Sequence, residues 1–227
     1  KKTSISVSKS WEDAGNQDGI RPNSITVKLF ANGQDTGKTL TLNSANQWRG
    51  DFTDLDEFSA GEKIAYTVAE VSVQGYTSAI TGNMSEGYVI TNTHVPAVTE
   101  VEGRKTWNDN NDQDGARPDS ITINLMKNGQ VFQSETVTAN NGWAWSFENL
   151  PKYENGNEIA YSITENAVEG YTTEYDGTNV INSYTPQKTS VTVTKSWEDS
   201  DNQDGIRPDN VTVKLFANGE DTGKTLT

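Results

Sequence analysis

The chain opens on a strict alternation. In "ISVSKSW" (Ile5 to Trp11) the apolar side chains of Ile5, Val7 and Trp11 share one parity with Lys9, and three serines take the other. Successive strand residues point to opposite faces, so this pattern predicts a half-buried strand with a lysine on its core face. The same test on later segments gives the same anomaly. In "IAYTVAE" Ile64, Tyr66 and Val68 share a face with Glu70; in "YVITN" Tyr88 and Ile90 share a face with Asn92. Further on, Val101 and Trp107 align with Lys105, Ile159, Tyr161 and Ile163 align with Glu165, and Val180 aligns with Asn182.

These segments recur because the chain is a repeat. "KSWEDAGNQDGIRP" begins at Lys9, "KTWNDNNDQDGARP" at Lys105 and "KSWEDSDNQDGIRP" at Lys195. The first and third copies are the most alike: "KLFANGQDTGKTLT" and "KLFANGEDTGKTLT" differ at one position. We therefore expect three units, at 1–95, 96–186 and 187–227, the last being the N-terminal part of an incomplete copy and the whole a piece of a longer array. Within each copy the segments are short. Asn32-Gly33, Asn128-Gly129 and Asn218-Gly219 predict tight hairpin turns. No helical period persists, and many short strands with frequent turns predict an all-β fold of sandwich type. The joints "THVPAVTE" and "SYTPQKTS" contain Pro and no Gly, which favours a stiff string of modules.

Composition narrows the chemistry. The 227 residues carry a net charge of −14, which disfavours nucleic acid and anionic membrane as partners. No apolar run is long enough to insert in a membrane. There is no Cys and one His, His94, so disulfides, thiolate chemistry and His- or Cys-built metal sites have no material. No cofactor and no metal are expected. The acidic turns fail the EF-hand pattern at their first and twelfth positions and read as solvated Asx-rich turns. His94, without a counterpart in the second copy, reads as a plain linker residue. Arg49-Gly50-Asp51 falls inside a strand rather than at a loop tip, and the Trp of each copy reads as core.

The recurring Lys, Glu and Asn remain. A lysine desolvated in a core loses its proton readily, and a neutral amine is a nucleophile. A carboxamide is an electrophile when its carbonyl is polarised, and a protonated Glu can polarise it and shuttle protons. Attack expels ammonia and leaves an uncharged Lys–Asn amide. This is a single-turnover reaction of the protein on itself, and no other catalytic set recurs between copies, so a turnover enzyme is not expected.

At these residues the sequence resembles the Cna B-type repeat domains of Gram-positive surface adhesins (collagen-adhesin B repeats). The K-[ST]-W opening, the QDG-x-RP turn, the Y-x-[VI]-x-E strand and the closing [VI]-x-N strand carry the resemblance across the whole chain. It implies tandem inverse-immunoglobulin (prealbumin-like) β-sandwiches in a rod-like array. It also implies Lys–Asn isopeptide bonds assisted by an acid: Lys9 to Asn92 with Glu70, and Lys105 to Asn182 with Glu165. Lys195 has no Glu or Asn strand in its copy and is expected to stay unreacted. The resemblance further implies a structural stalk on the cell-wall-anchored, extracellular surface of a bacterium. Its partners would be neighbouring repeats, and host extracellular matrix through a separate head domain. The alternative is a module that itself recognises a matrix protein or carbohydrate.

Overall fold

A computed structural model describes all residues from 1 to 227. The chain divides into a compact unit over 1–186 and a second unit over 187–227. In the first unit the strands are β1 (Lys2–Glu12), β2 (Ser24–Ala31), β3 (Gln34–Asn43), β4 (Arg49–Asp56), β5 (Phe58–Ser59), β6 (Glu62–Lys63), β7 (Tyr66–Glu70), β8 (Thr77–Asn83) and β9 (Gly87–Thr93). A second set repeats the first: β10 (Val98–Asn108), β11 (Ser120–Lys127), β12 (Gln130–Thr138), β13 (Ala144–Pro151), β14 (Tyr153–Glu154), β15 (Asn157–Glu158), β16 (Tyr161–Glu165), β17 (Thr172–Asp176) and β18 (Asn179–Ser183). The two α-helix-free sets are tandem all-β sandwiches, as the patterning predicts. No helix is long and apolar enough to cross a membrane.

Each sandwich has one four-stranded and one three-stranded sheet. The orders are β4-β1-β9-β8 and β3-β2-β7 in the first, β13-β10-β18-β17 and β12-β11-β16 in the second. The first strand is central in both. β1 pairs antiparallel with β4 and parallel with β9, the last strand of the set. Alternation then decides burial: Ile5, Val7 and Ile90 from one sheet meet Ile25, Val27, Leu29 and Val68 from the other. Ile121, Ile123, Leu125, Phe147, Ile163 and Val180 form the second core. Each buried aliphatic side chain contributes roughly 1.5–3 kcal/mol relative to exposure.

The Asn-Gly turns take positive φ at both residues, 50° and 81° at Asn32-Gly33 and 49° and 83° at Asn128-Gly129. Those angles suit the twist of tight hairpins, and Asn and Gly adopt them at least cost.

In the unit over 187–227 one hairpin forms, β19 (Val213–Ala217) with β20 (Glu220–Leu226), around Asn218-Gly219. The stretch Val191 to Trp197, which aligns with the first strand of the other two copies, carries no strand. In the first two copies that strand is held between the fourth and the last strands. Residues 187–227 contain neither, so the segment lacks the neighbours that would satisfy its backbone.

Candidate functional site

The misplaced polar residues lie between the two sheets of each sandwich. β1 brings Lys9 opposite Ile90, and Trp11 opposite Asn92, on the parallel β9. Lys9 and Asn92 are thus diagonal neighbours on the core face. Glu70 comes from the facing sheet, at the end of β7, where it pairs with Val27. The Lys9 and Glu70 side chains are 0% and 2% exposed, and Asn92 is fully buried.

Glu70 Oε1 is the hinge of this arrangement. It lies 3.6 Å from Lys9 Nζ and accepts a 3.1 Å hydrogen bond from Asn92 Nδ2. Lys9 Nζ also donates to the carbonyls of Ser10 (3.1 Å) and Ile90 (3.4 Å). Burial lowers the lysine from its ordinary 10.5 to about 8, against the opposing pull of Glu70. Asn92 Oδ1 and Glu70 Oε2 are buried with no partner. An unmet buried polar atom costs about 1–3 kcal/mol.

The second sandwich repeats the set of residues with different contacts among them. Lys105, opposite Val180, forms a buried ion pair with Glu165 Oε1, and neither side chain is exposed. Burial lowers this lysine as well. Glu165 Oε2 accepts from the Thr173 hydroxyl at 3.1 Å. Asn182 is fully buried and bonds nothing: neither Oδ1 nor Nδ2 has a partner. Lys195 has different surroundings. It is exposed, donates to the carbonyl of Ser196, and lies 4.2 Å from the centre of the Trp197 ring.

Tryptophans close the site from outside. Lys9 Nζ is 4.2 Å from the Trp11 ring centre, and Trp11 meets Trp48 and Tyr76 edge-on at 5.2 and 5.0 Å. Trp107, Trp143 and Tyr171 repeat the cluster. Trp11 and Trp107 are half-buried and pack against the cores of their sandwiches. Trp48 reaches the site because a turn holds Gln47 and Trp48 at φ 55° and 58°, ahead of β4. The Trp48 carbonyl accepts the Lys9 backbone N–H at 2.8 Å. Arg49, Gly50 and Asp51 lie within β4 and pair with Ser8, Val7 and Ser6.

Two expectations are corrected. The acidic turns are not merely solvated. Asp13 is 2% exposed, and Arg21 grips its carboxylate from Nε at 2.9 Å and from Nη2, while the Tyr76 hydroxyl donates at 2.8 Å. The Arg21 bond holds Asp13 down at about 2, and the same set forms at Asp109, Arg117 and Tyr171. The recurring Asp and Arg eight residues apart was the signal for it. His94 is not a plain linker residue. Its Nε2 meets Asp18 Oδ2 and its Nδ1 meets the Gly75 carbonyl, each at 2.9 Å, and the Asp18 bond raises its pKa. No group of three His, Cys, Asp or Glu stands where it could hold a metal ion.

Comparison with known proteins agrees with this architecture. The chain is 44% identical over 224 residues to the collagen adhesin of Staphylococcus aureus, covering 98% of this chain and 19% of that protein. The chain therefore spans about a fifth of the length of that relative. Two B repeat units (B1B2) of the collagen binding protein (Cna) of Staphylococcus aureus superpose with a TM-score of 0.76 at 44% identity, over 99% of this chain and 61% of that one. The family model for the Cna protein B-type domain matches residues 5–93, 101–183 and 191–227. On sequence and fold together, the chain belongs to the Cna protein B-type domain family.

Proposed function

We propose that this chain is a structural stalk segment of a bacterial surface adhesin, and that its first two repeats cross-link themselves. The carrying observation is the position of Glu70 Oε1 between Lys9 Nζ and Asn92 Nδ2. With the proton on the carboxyl group, the neutral Lys9 amine attacks Asn92 Cγ. The Cγ–Nδ2 bond breaks, Glu70 relays a proton to the departing nitrogen, and ammonia leaves. The products are one secondary amide between Lys9 and Asn92 and one ammonia. Lys105, Glu165 and Asn182 perform the same step in the second repeat.

Three physical arguments support the reading. Burial moves both lysines toward the reactive neutral form. Confinement between two sheets raises the effective concentration of the reacting groups. The product also removes an uncompensated cost. A buried Lys–Glu pair and an unpartnered Asn are expensive to keep, whereas an amide carries no charge. Closing the chain between residues 9 and 92 restricts the unfolded state by about 4 kcal/mol, by analogy with a disulfide. The likeness to a collagen adhesin favours an extracellular, wall-attached setting, with matrix binding left to a separate head domain.

Intact mass tests this directly. The expected value is the sequence mass less two ammonia, and the Glu70→Ala variant should lose only one. An unshifted mass would sink the proposal, and a variant that still loses two would remove Glu70 from the mechanism.

A further inference from the structure

The turn "NQDGIRP" does more than close around Asp13. Its tip, Gln17-Asp18-Gly19, is the point where the first repeat touches the second. The Gln17 carbonyl accepts the Gly156 backbone N–H at 3.0 Å. Gly156 is the tip of the tight turn between β14 and β15, with Asn155 at φ 51° and Gly156 at φ 77°. The backbones touch with no side chain between them. A Cβ on Gly19 would lie 2.5 Å from Gly156 Cα, and one on Gly156 would lie 3.1 Å from Gly19 Cα.

Asp18 secures the same contact from the side. Its side chain is 7% exposed, and Oδ2 accepts both His94 Nε2 (2.9 Å) and the Ala97 backbone N–H (2.8 Å). Ala97 is the residue before β10, so this carboxylate holds both ends of the link between the repeats. His94 is fixed in turn by the Gly75 carbonyl and by the Tyr76 ring, 5.5 Å away between centres. The second repeat carries the same loop, Gln113-Asp114-Gly115, and Tyr184 stands where His94 stands, with its hydroxyl 3.2 Å from Asp114 Oδ2.

We propose that the Gln-Asp-Gly loop of the first repeat is a docking socket whose partner is the glycine-tipped turn of the second, and that this contact fixes the angle between these two repeats. Glycine on both sides is a steric requirement, since either Cβ drives the two backbones apart. The Asp adds a pin between loop and link. The socket is independent of the cross-links, which lie inside each sandwich, so mass reports one and repeat-to-repeat distance the other.

The chain has no cysteine, so two engineered cysteines give unique labels. Thr39→Cys and Gln133→Cys sit on exposed positions of β3 and β12, away from the joint. Paired spin labels on the full chain should give a narrow distance distribution. Gly19→Ala and Gly156→Ala should shift and broaden it. Gly61→Ala is the control: the corresponding turn of the first repeat has the same handedness, at φ 88°, but nothing within 4 Å. It carries the same backbone strain with no contact to lose and should leave the distribution unchanged. Asp18→Ala imposes no strain and should broaden it through the pin alone. A broad distribution in the unaltered chain, an unchanged one in both Gly19→Ala and Asp18→Ala, or equal broadening by Gly61→Ala would overturn the socket.

Discussion

Lys9, Glu70 and Asn92 were readable in the sequence because each breaks an otherwise apolar face of period two. A strand side chain cannot leave its face without a slip in register, so the anomaly located all three in space. Asp13 gave no such signal. It lies one residue beyond β1, and it meets Arg21 only because Ala14 and Asn16 turn the chain through φ 50° and 65°. Patterning does not describe a loop of that kind. Its effect is measurable in acid. The Asp13 pKa falls from 3.8 to about 2 on folding, first through the Arg21 bond. The unfolded chain therefore binds the extra proton, so the stabilisation is complete above pH 3.8 and lost as pH falls toward 2. It amounts to roughly 2 kcal/mol. Denaturant titrations at a series of pH values should show this loss, and Asp13→Asn should flatten that part of the profile. An unchanged profile would remove the Asp13–Arg21 pair from the stability of the repeat.

At the scale of the element, the hairpins were legible from Asn-Gly and the strands from alternation. The turn before β4 was not. Trp48 has the same parity as Gly50 and Phe52, whereas two left-handed residues lift it over Trp11. Register explains another difference between the copies. Val7 stands opposite Gly50 on β4, while Gly103 stands opposite Trp145 on β13. Each cross-strand pair joins one large residue with one glycine, so the same gap is filled from opposite sides. The two glycines should not respond alike to a methyl group. At Gly103 a Cβ would lie 2.2 Å from the Thr178 carbonyl oxygen and 2.6 Å from the Trp145 ring. At Gly50 it would meet the tip of Leu40, a flexible side chain, at 3.0 Å. Gly103→Ala should cost about 3 kcal/mol and Gly50→Ala about 1 kcal/mol or less, measured by chemical unfolding. Equal costs would show that the strand pair adjusts as easily as a side chain.

At the scale of the molecule, the tandem organisation was plain from the repeated "QDG" turns. The joint was not, because it depends on what is missing. Two glycines approach closely, and neither announces a partner in the sequence. The role of His94 is hidden in the sequence for a related reason: it rests on Asp18, 76 residues away, and alignment with Tyr184 marks the position but not the contact.

The placement of β1 beside β9 has a topological consequence. In the cross-linked form we propose, residues 9 to 92 become a closed ring, and the chain enters and leaves that ring at the amide. A protease that cuts once inside the ring opens it without dividing the molecule. The exposed turn at Ala60-Gly61 offers a place to check. With a specific cleavage sequence inserted there, the cut protein should run as a single branched species on a denaturing gel. The same insertion in the Glu70→Ala background should fall into two pieces. An array of such rings would keep its covalent continuity through one cut in every cross-linked repeat.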